Sequence, residues 1–168
     1  MAQRQLFILY ITKSQEYLMI LNLSKAGEKM HNILIKKVWE DVGFIEVKIE
    51  AVCDYVSAWQ NCYIQDEDLL MFSYKLEEYG STNEKTYLEF GSKEGNSTPA
   101  FSLDIMEPDS YGHVLIEVDM EIDDNDSRKH RCCFYVQTEI GCVERFGTQL
   151  RSIINRGEFP EAVLHPYS

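Results

Sequence analysis

Apolar and polar residues alternate along most of this chain with a period of two, and twice the period lengthens to that of a helix. The clearest alternation begins at Val114: Val114, Ile116, Val118, Met120 and Ile122 point one way, and Glu117, Asp119 and Glu121 the other. Successive strand side chains face opposite sides of a sheet, so one face forms core and the other an acidic ridge with about 7 Å between neighbouring charges. A row of like charges destabilises a sheet unless something cationic offsets it. The ridge reads either as a solvated outer face or as a docking surface for a basic partner. Asp123, Asp124 and Asp126 carry its charge into the turn Asp123 to Ser127.

Earlier strands are predicted from Ile33 to near Trp39, from Phe44 to Cys53 and from Tyr55 to Ile64, with a turn at Asp41-Val42-Gly43. Further strands are expected at Thr86 to Phe90, Ala100 to Met106 and Arg131 to Thr138, and 91–99 is a loop. Two segments take the helical period. One opens at Asp66-Glu67-Asp68, with Asp66 as a plausible N-cap, shows the stripe Leu69, Phe72, Leu76 and Tyr79, and is expected to stop at Gly80. The other runs from Ile140 to Asn155 with the stripe Ile140, Val143, Phe146, Leu150 and Ile153. Tyr63-Ile64-Gln65-Asp66-Glu67 is echoed by Tyr135-Val136-Gln137-Thr138-Glu139, each at the end of a strand that precedes a helix. The predicted fold is α+β: a mostly antiparallel, curved sheet of about six to eight strands with two amphipathic helices packed on it.

The expected organisation is a single domain over 30–157, preceded by an extension or hairpin at 1–29 and followed by an irregular tail at 158–168. Lys25-Ala26-Gly27-Glu28-Lys29 before Met30 resembles a translated ribosome-binding sequence, so Met30 is a candidate start. No apolar run is long enough to span a bilayer, and no secretory signal pattern opens the chain. A cytoplasmic location is the expectation.

Charge narrows the partners. The formal net charge of −12 disfavours nucleic acid and anionic membrane, and favours association with basic proteins. Cys53, Cys62, Cys132, Cys133 and Cys142 form an odd set with an adjacent pair, which suits free, buried thiols better than a disulfide framework. His31, His113, His130 and His165 are too scattered for a recognisable zinc site, so neither metal nor cofactor is expected. Asp123-Asp124-Asn125-Asp126 lacks the glycine and twelfth-position glutamate of a calcium loop. Asp109 after Glu107-Pro108, the Asp119–Glu121 pair, and Cys133 with His113 are the remaining catalytic pairings to weigh; none has the motif of an enzyme family, an exposed ridge does not raise a carboxylate's pKa as acid–base work needs, and the expectation is a protein without catalytic activity.

Ala58-Trp59-Gln60-Asn61-Cys62-Tyr63-Ile64 leads into Asp68-Leu69-Leu70-Met71-Phe72-Ser73-Tyr74-Lys75-Leu76. Tyr87-Leu88-Glu89-Phe90, Phe101-Ser102-Leu103-Asp104-Ile105 and Gly112-His113-Val114-Leu115-Ile116-Glu117-Val118 follow in order. Cys133-Phe134-Tyr135-Val136-Gln137-Thr138, with a helix ending Leu150-Arg151-Ser152-Ile153-Ile154, closes the series. This order, over about residues 32–155, resembles the small bacterial immunity proteins related to the WapI immunity family. The resemblance implies a non-enzymatic protein that binds and neutralises a cognate toxin. Charge adds that the toxin is basic, with Glu117, Asp119, Glu121, Asp123, Asp124 and Asp126 as the contact set. The competing expectation is a small-molecule or peptide-binding domain whose sheet holds a ligand among Tyr55, Trp59 and Tyr87; Trp59 alone reads more readily as a core anchor.

Overall fold

The computed structural model describes residues 32–91, 100–121, 130–155 and 160–166. The N-terminal extension, the Met30 start and the 92–99 loop therefore lie outside the described residues, as do Ile122, Asp123, Asp124 and Asp126. The described chain is α+β, with eight strands, every pairing antiparallel. The strands are β1 (Asn32–Asp41), β2 (Phe44–Val52), β3 (Ser57–Gln65), β4 (Thr86–Phe90), β5 (Ala100–Ile105), β6 (His113–Glu121), β7 (Arg131–Glu139) and β8 (Glu161–Leu164). The helices are α1 (Asp66–Glu77), the short α2 (Tyr79–Thr82) and α3 (Ile140–Ile154).

The strands divide into two four-stranded sheets, ordered β3-β2-β1-β8 (sheet A) and β4-β5-β6-β7 (sheet B). Each sheet turns its apolar alternation inward, and the two inner faces join the apolar stripes of α1 and α3 in one core. Within sheet A, Ile45, Val47 and Ile49 of β2 are buried while Glu46, Lys48 and Glu50 point out. Among the described residues, bonds that tie the sheets run from Gly91 N–H to the Tyr63 carbonyl at 2.7 Å, from the Thr138 hydroxyl to the His165 carbonyl at 2.7 Å and from the Gln60 amide to the Ala100 carbonyl.

The sequence echo has a structural counterpart. The chain is two βββαβ units, β1 to β4 and β5 to β8, and each unit's last strand adds to the first strand of the other's sheet. Burial repeats at a constant step: Cys62 with Val136, Leu69 with Val143, Phe72 with Phe146, Leu76 with Leu150, Leu88 with Ala162 and Phe90 with Leu164. In this register Tyr63 corresponds to Gln137, so the short motif match is displaced by two residues from the structural repeat.

At the place where the helices cross, the repeat puts Ser73 in one helix and Gly147 in the other, both packed against the partner backbone. A β-carbon on Gly147 would lie 2.8 Å from the Ser73 carbonyl oxygen and 2.9 Å from the Glu77 nitrogen. The Ser73 hydroxyl meets its own helix, donating to the Leu70 carbonyl at 2.7 Å.

Several expected details differ. Gly80 does not end the first helix; α1 stops at Glu77, and Asn83, with φ of 54°, closes the following turn by donating to the Tyr79 carbonyl at 2.7 Å. Gly80 instead makes room for Glu144 of α3, whose carboxylate accepts its N–H at 3.2 Å. Gln65, not Asp66, is the N-cap residue of α1, and no side chain caps that end; the acidic first turn alone opposes the positive helix end. The C-terminal segment contains β8, four residues that complete sheet A beside β1. Val38 is the extra residue of a bulge in β1 between Lys37 and Trp39. Ahead of it, Lys37 caps α3, its ammonium donating to the Ile153 carbonyl at 2.8 Å. In the β1–β2 hairpin, Gly43 has φ of +74°, a conformation a two-residue turn needs and a β-carbon resists.

Two core groups make the fold sensitive to alkali. Burial pushes the Cys62 thiol up to about 12, against a smaller lowering by the Gln60 amide. Burial, with Glu107 nearby, pushes the Tyr79 hydroxyl up to about 12. Both bind their proton more tightly folded than unfolded, so their contribution is complete below the ordinary 9.0 and 10.0 and is lost as pH climbs towards about 12. Stability followed by circular dichroism in denaturant is expected to hold up to about pH 9 and fall through this window. Cys62→Val should flatten the lower part of the fall; an unchanged slope would remove Cys62 as its source.

Candidate partner-binding face

The outer face of sheet B is built by register. Tyr87, Asp104, Glu117 and Tyr135 stand in one row across β4, β5, β6 and β7; Glu89, Ser102, Asp119 and Cys133 stand in the next. Glu121 faces Arg131 across the β6–β7 pair. Tyr87 and Tyr135 are about half exposed, and Glu117 and Glu121 are partly exposed. The helices pack on the opposite, apolar side with the rest of the core.

The expected acidic ridge is present, but it is compensated within the chain. Arg131 donates through Nε to Asp119 Oδ1 at 2.7 Å and through Nη2 to Oδ2, a two-point grip. That bond, with Glu121 adding its field, holds the guanidinium well above its ordinary range. The Tyr135 hydroxyl donates to Glu117 Oε2 at 2.7 Å, which pushes its own proton loss up. Lys85 pairs with Asp104 at 2.8 Å and is likewise raised. The Tyr87 hydroxyl donates to Glu89 Oε2 at 2.6 Å.

This changes the standing of one predicted contact. Asp119 is 2% exposed, lying beneath Arg131, so it positions a surface guanidinium rather than offering a carboxylate to a partner. Glu117 and Glu121 remain at the surface. Sequence reasoning missed Glu89, Asp104, Tyr87 and Tyr135 as members of this face. Their outward positions were visible in the alternation of their own strands, but only the register places them beside the ridge.

The competing aromatic site does not assemble. Tyr55 sits in the β2–β3 connection at 87% exposure, Trp59 is on the outer face of sheet A, and Tyr87 is on sheet B. Trp59 is not a core residue; Lys48 covers it, with Nζ 4.9 Å from the ring centroid. The remaining chemical pairings separate too. Cys133 is opposite Asp119 and His113 opposite Glu139 along the same β6–β7 ladder, about 20 Å apart at strand rise. Asp109 serves its own turn, accepting from Tyr111 N–H at 2.8 Å and His113 N–H at 2.9 Å, and these bonds hold its carboxyl below the ordinary range. All five cysteines are free thiols, and Cys133 is exposed where burial was expected. Among the described residues, no His, Cys, Asp and Glu cluster has metal-binding geometry, and no helix is long and apolar enough to cross a membrane.

No family model matches the chain, and searches of curated proteins and of solved structures return no match.

Proposed function

We propose that this protein is a non-catalytic inhibitor that docks a basic protein, a cognate bacterial toxin domain, on the outer face of sheet B. The observation that supports this reading most is the composition of the outer face of sheet B: among the described residues it carries Glu89, Asp104, Glu117, Asp119 and Glu121 with Lys85 and Arg131, and two tyrosines stand among them. Tyrosine combines large apolar area with a polar tip at low entropic cost and is enriched where binding energy concentrates. Among the described residues carboxylates outnumber cations on this face, and such an excess complements a basic domain and speeds its capture. The overall charge of −12 acts in the same direction.

The test is binding of the toxin domain encoded beside this gene, measured by stopped-flow and calorimetry at several salt concentrations. Glu117→Lys with Glu121→Lys should slow association about tenfold and flatten its salt dependence, because surface charges act chiefly on the encounter rate. Tyr135→Ala should instead speed dissociation. Unchanged kinetics in both variants would exclude this face, and failure of any neighbouring toxin to bind would overturn the function.

A further inference from the structure

The last strand of each βββαβ unit finds its ladder in the other unit, and the two exchanges match residue for residue. Phe90 pairs with Phe101 and Leu88 with Leu103 where β4 joins β5; Leu164 pairs with Ile33 and Ala162 with Ile35 where β8 joins β1. We propose that the chain is a fused dimer: each unit is the specific binding partner of the other, and the surface between them accepts the matching unit of a second copy of this chain.

Reciprocity carries the assignment first. The constant step that takes Leu88 to Ala162 and Phe90 to Leu164, with the matching one that takes Ile33 to Phe101 and Ile35 to Leu103, converts one ladder into the other. A contact made by each half to the corresponding place on the other is the mark of an isologous, two-fold interface between equal subunits. The helices obey the same relation. Ser73 and Gly147 occupy equivalent positions and meet where α1 and α3 cross, and a β-carbon on Gly147 would lie 2.8 Å from both the Ser73 carbonyl oxygen and Leu76 Cβ. Glu77 and Arg151 are equivalent too, and they form an ion pair across the helices at 3.1 Å. That pair makes the surface selective. Two first units brought together would set carboxylate against carboxylate at this place, and two second units guanidinium against guanidinium; the mixed pair alone is complementary.

The inference is independent of the proposed function, and its test needs no toxin. A protease recognition sequence inserted between Gly95 and Asn96 allows the folded full chain to be cut between its units. Where the folded protein resists the protease, the cut is made in denaturant and the pieces are refolded together. A short connection supplies an effective concentration of about 1 mM, and folded molecules outnumber unfolded ones by at least about a thousandfold, so the pieces should hold with a dissociation constant of about 1 µM or tighter. At about ten times that concentration the cut protein is expected to sediment as one particle with the circular dichroism of the uncut chain. Neither piece should recover that spectrum alone, and mixing them should restore it. An isotope-labelled first piece from another preparation should enter the complex in place of the unlabelled one. Glu77→Arg should weaken association about tenfold, and Arg151→Glu in the other piece should restore most of the loss. Pieces that part at that concentration, a native spectrum from one piece alone, exclusion of the labelled piece, or a charge exchange that neither weakens nor rescues would each overturn the assignment.

Discussion

Gly147→Ala is expected to lower stability by about 3 kcal/mol, a large loss for the addition of one methyl group. The reason is the identity of the neighbours. The new β-carbon would come within 3 Å of the Ser73 carbonyl oxygen and the Glu77 nitrogen as well as Leu76 Cβ. A flexible side-chain tip could yield; the backbone of α1 yields only by moving the helix. Since α1 and α3 fill the core between the sheets, their separation spreads to Phe72 and Phe146. Denaturant midpoints measure this directly. Ser73→Gly should cost much less, because it removes atoms and one local bond at the corresponding place. If Gly147→Ala proves neutral, the helices do not cross as closely as described.

The Asp119–Arg131 pair should respond asymmetrically. Removing the exposed partner, by Arg131→Ala, leaves a carboxylate that is 3% exposed without its guanidinium; the expected loss is about 3 kcal/mol, the lower end for broken buried pairs. Removing the buried partner, by Asp119→Leu, leaves a guanidinium already 57% exposed, which water can solvate; about 1–2 kcal/mol is expected. The double variant should cost clearly less than the two single losses together. Strict additivity would show that the two groups do not support each other. The consequence for binding studies is direct: charge reversal of the whole ridge would confuse unfolding with loss of contact, so Glu117 and Glu121 are the informative positions.

Most of the individual elements were legible because they follow from local periodicity. The alternation of β6 and the stripes Leu69, Phe72, Leu76 and Val143, Phe146, Leu150 face the core as read. What was not legible depends on pairing between distant segments. No local signal tells β4 to leave the sheet of β3 and join β5, so one curved sheet and two sheets look alike in sequence. β8 is too short to show a period, with Pro160 before it and Pro166 beyond its end. Compensation of the ridge escaped for a similar reason. The charges of Arg131 and the hydroxyl of Tyr135 were plain, but a long connection after Glu121, unlike a two-residue hairpin, does not fix which β7 residue faces which carboxylate.

The exchange of final strands has a consequence for how this chain is made. Ile33 pairs with Leu164 and Ile35 with Ala162, so sheet A closes only when almost the last described residues reach it. A chain leaving the ribosome N-terminus first must hold β1 through β3 with one margin of β1 unsatisfied while everything after it is synthesised. That margin is a template for unwanted pairing with another nascent chain. The bulge at Val38 interrupts it, and Lys36 and Lys37 place charge along it. Slow translation across the second unit therefore lengthens the interval of greatest vulnerability, and truncation just before Glu161 leaves a protein with most of its elements and an open seam.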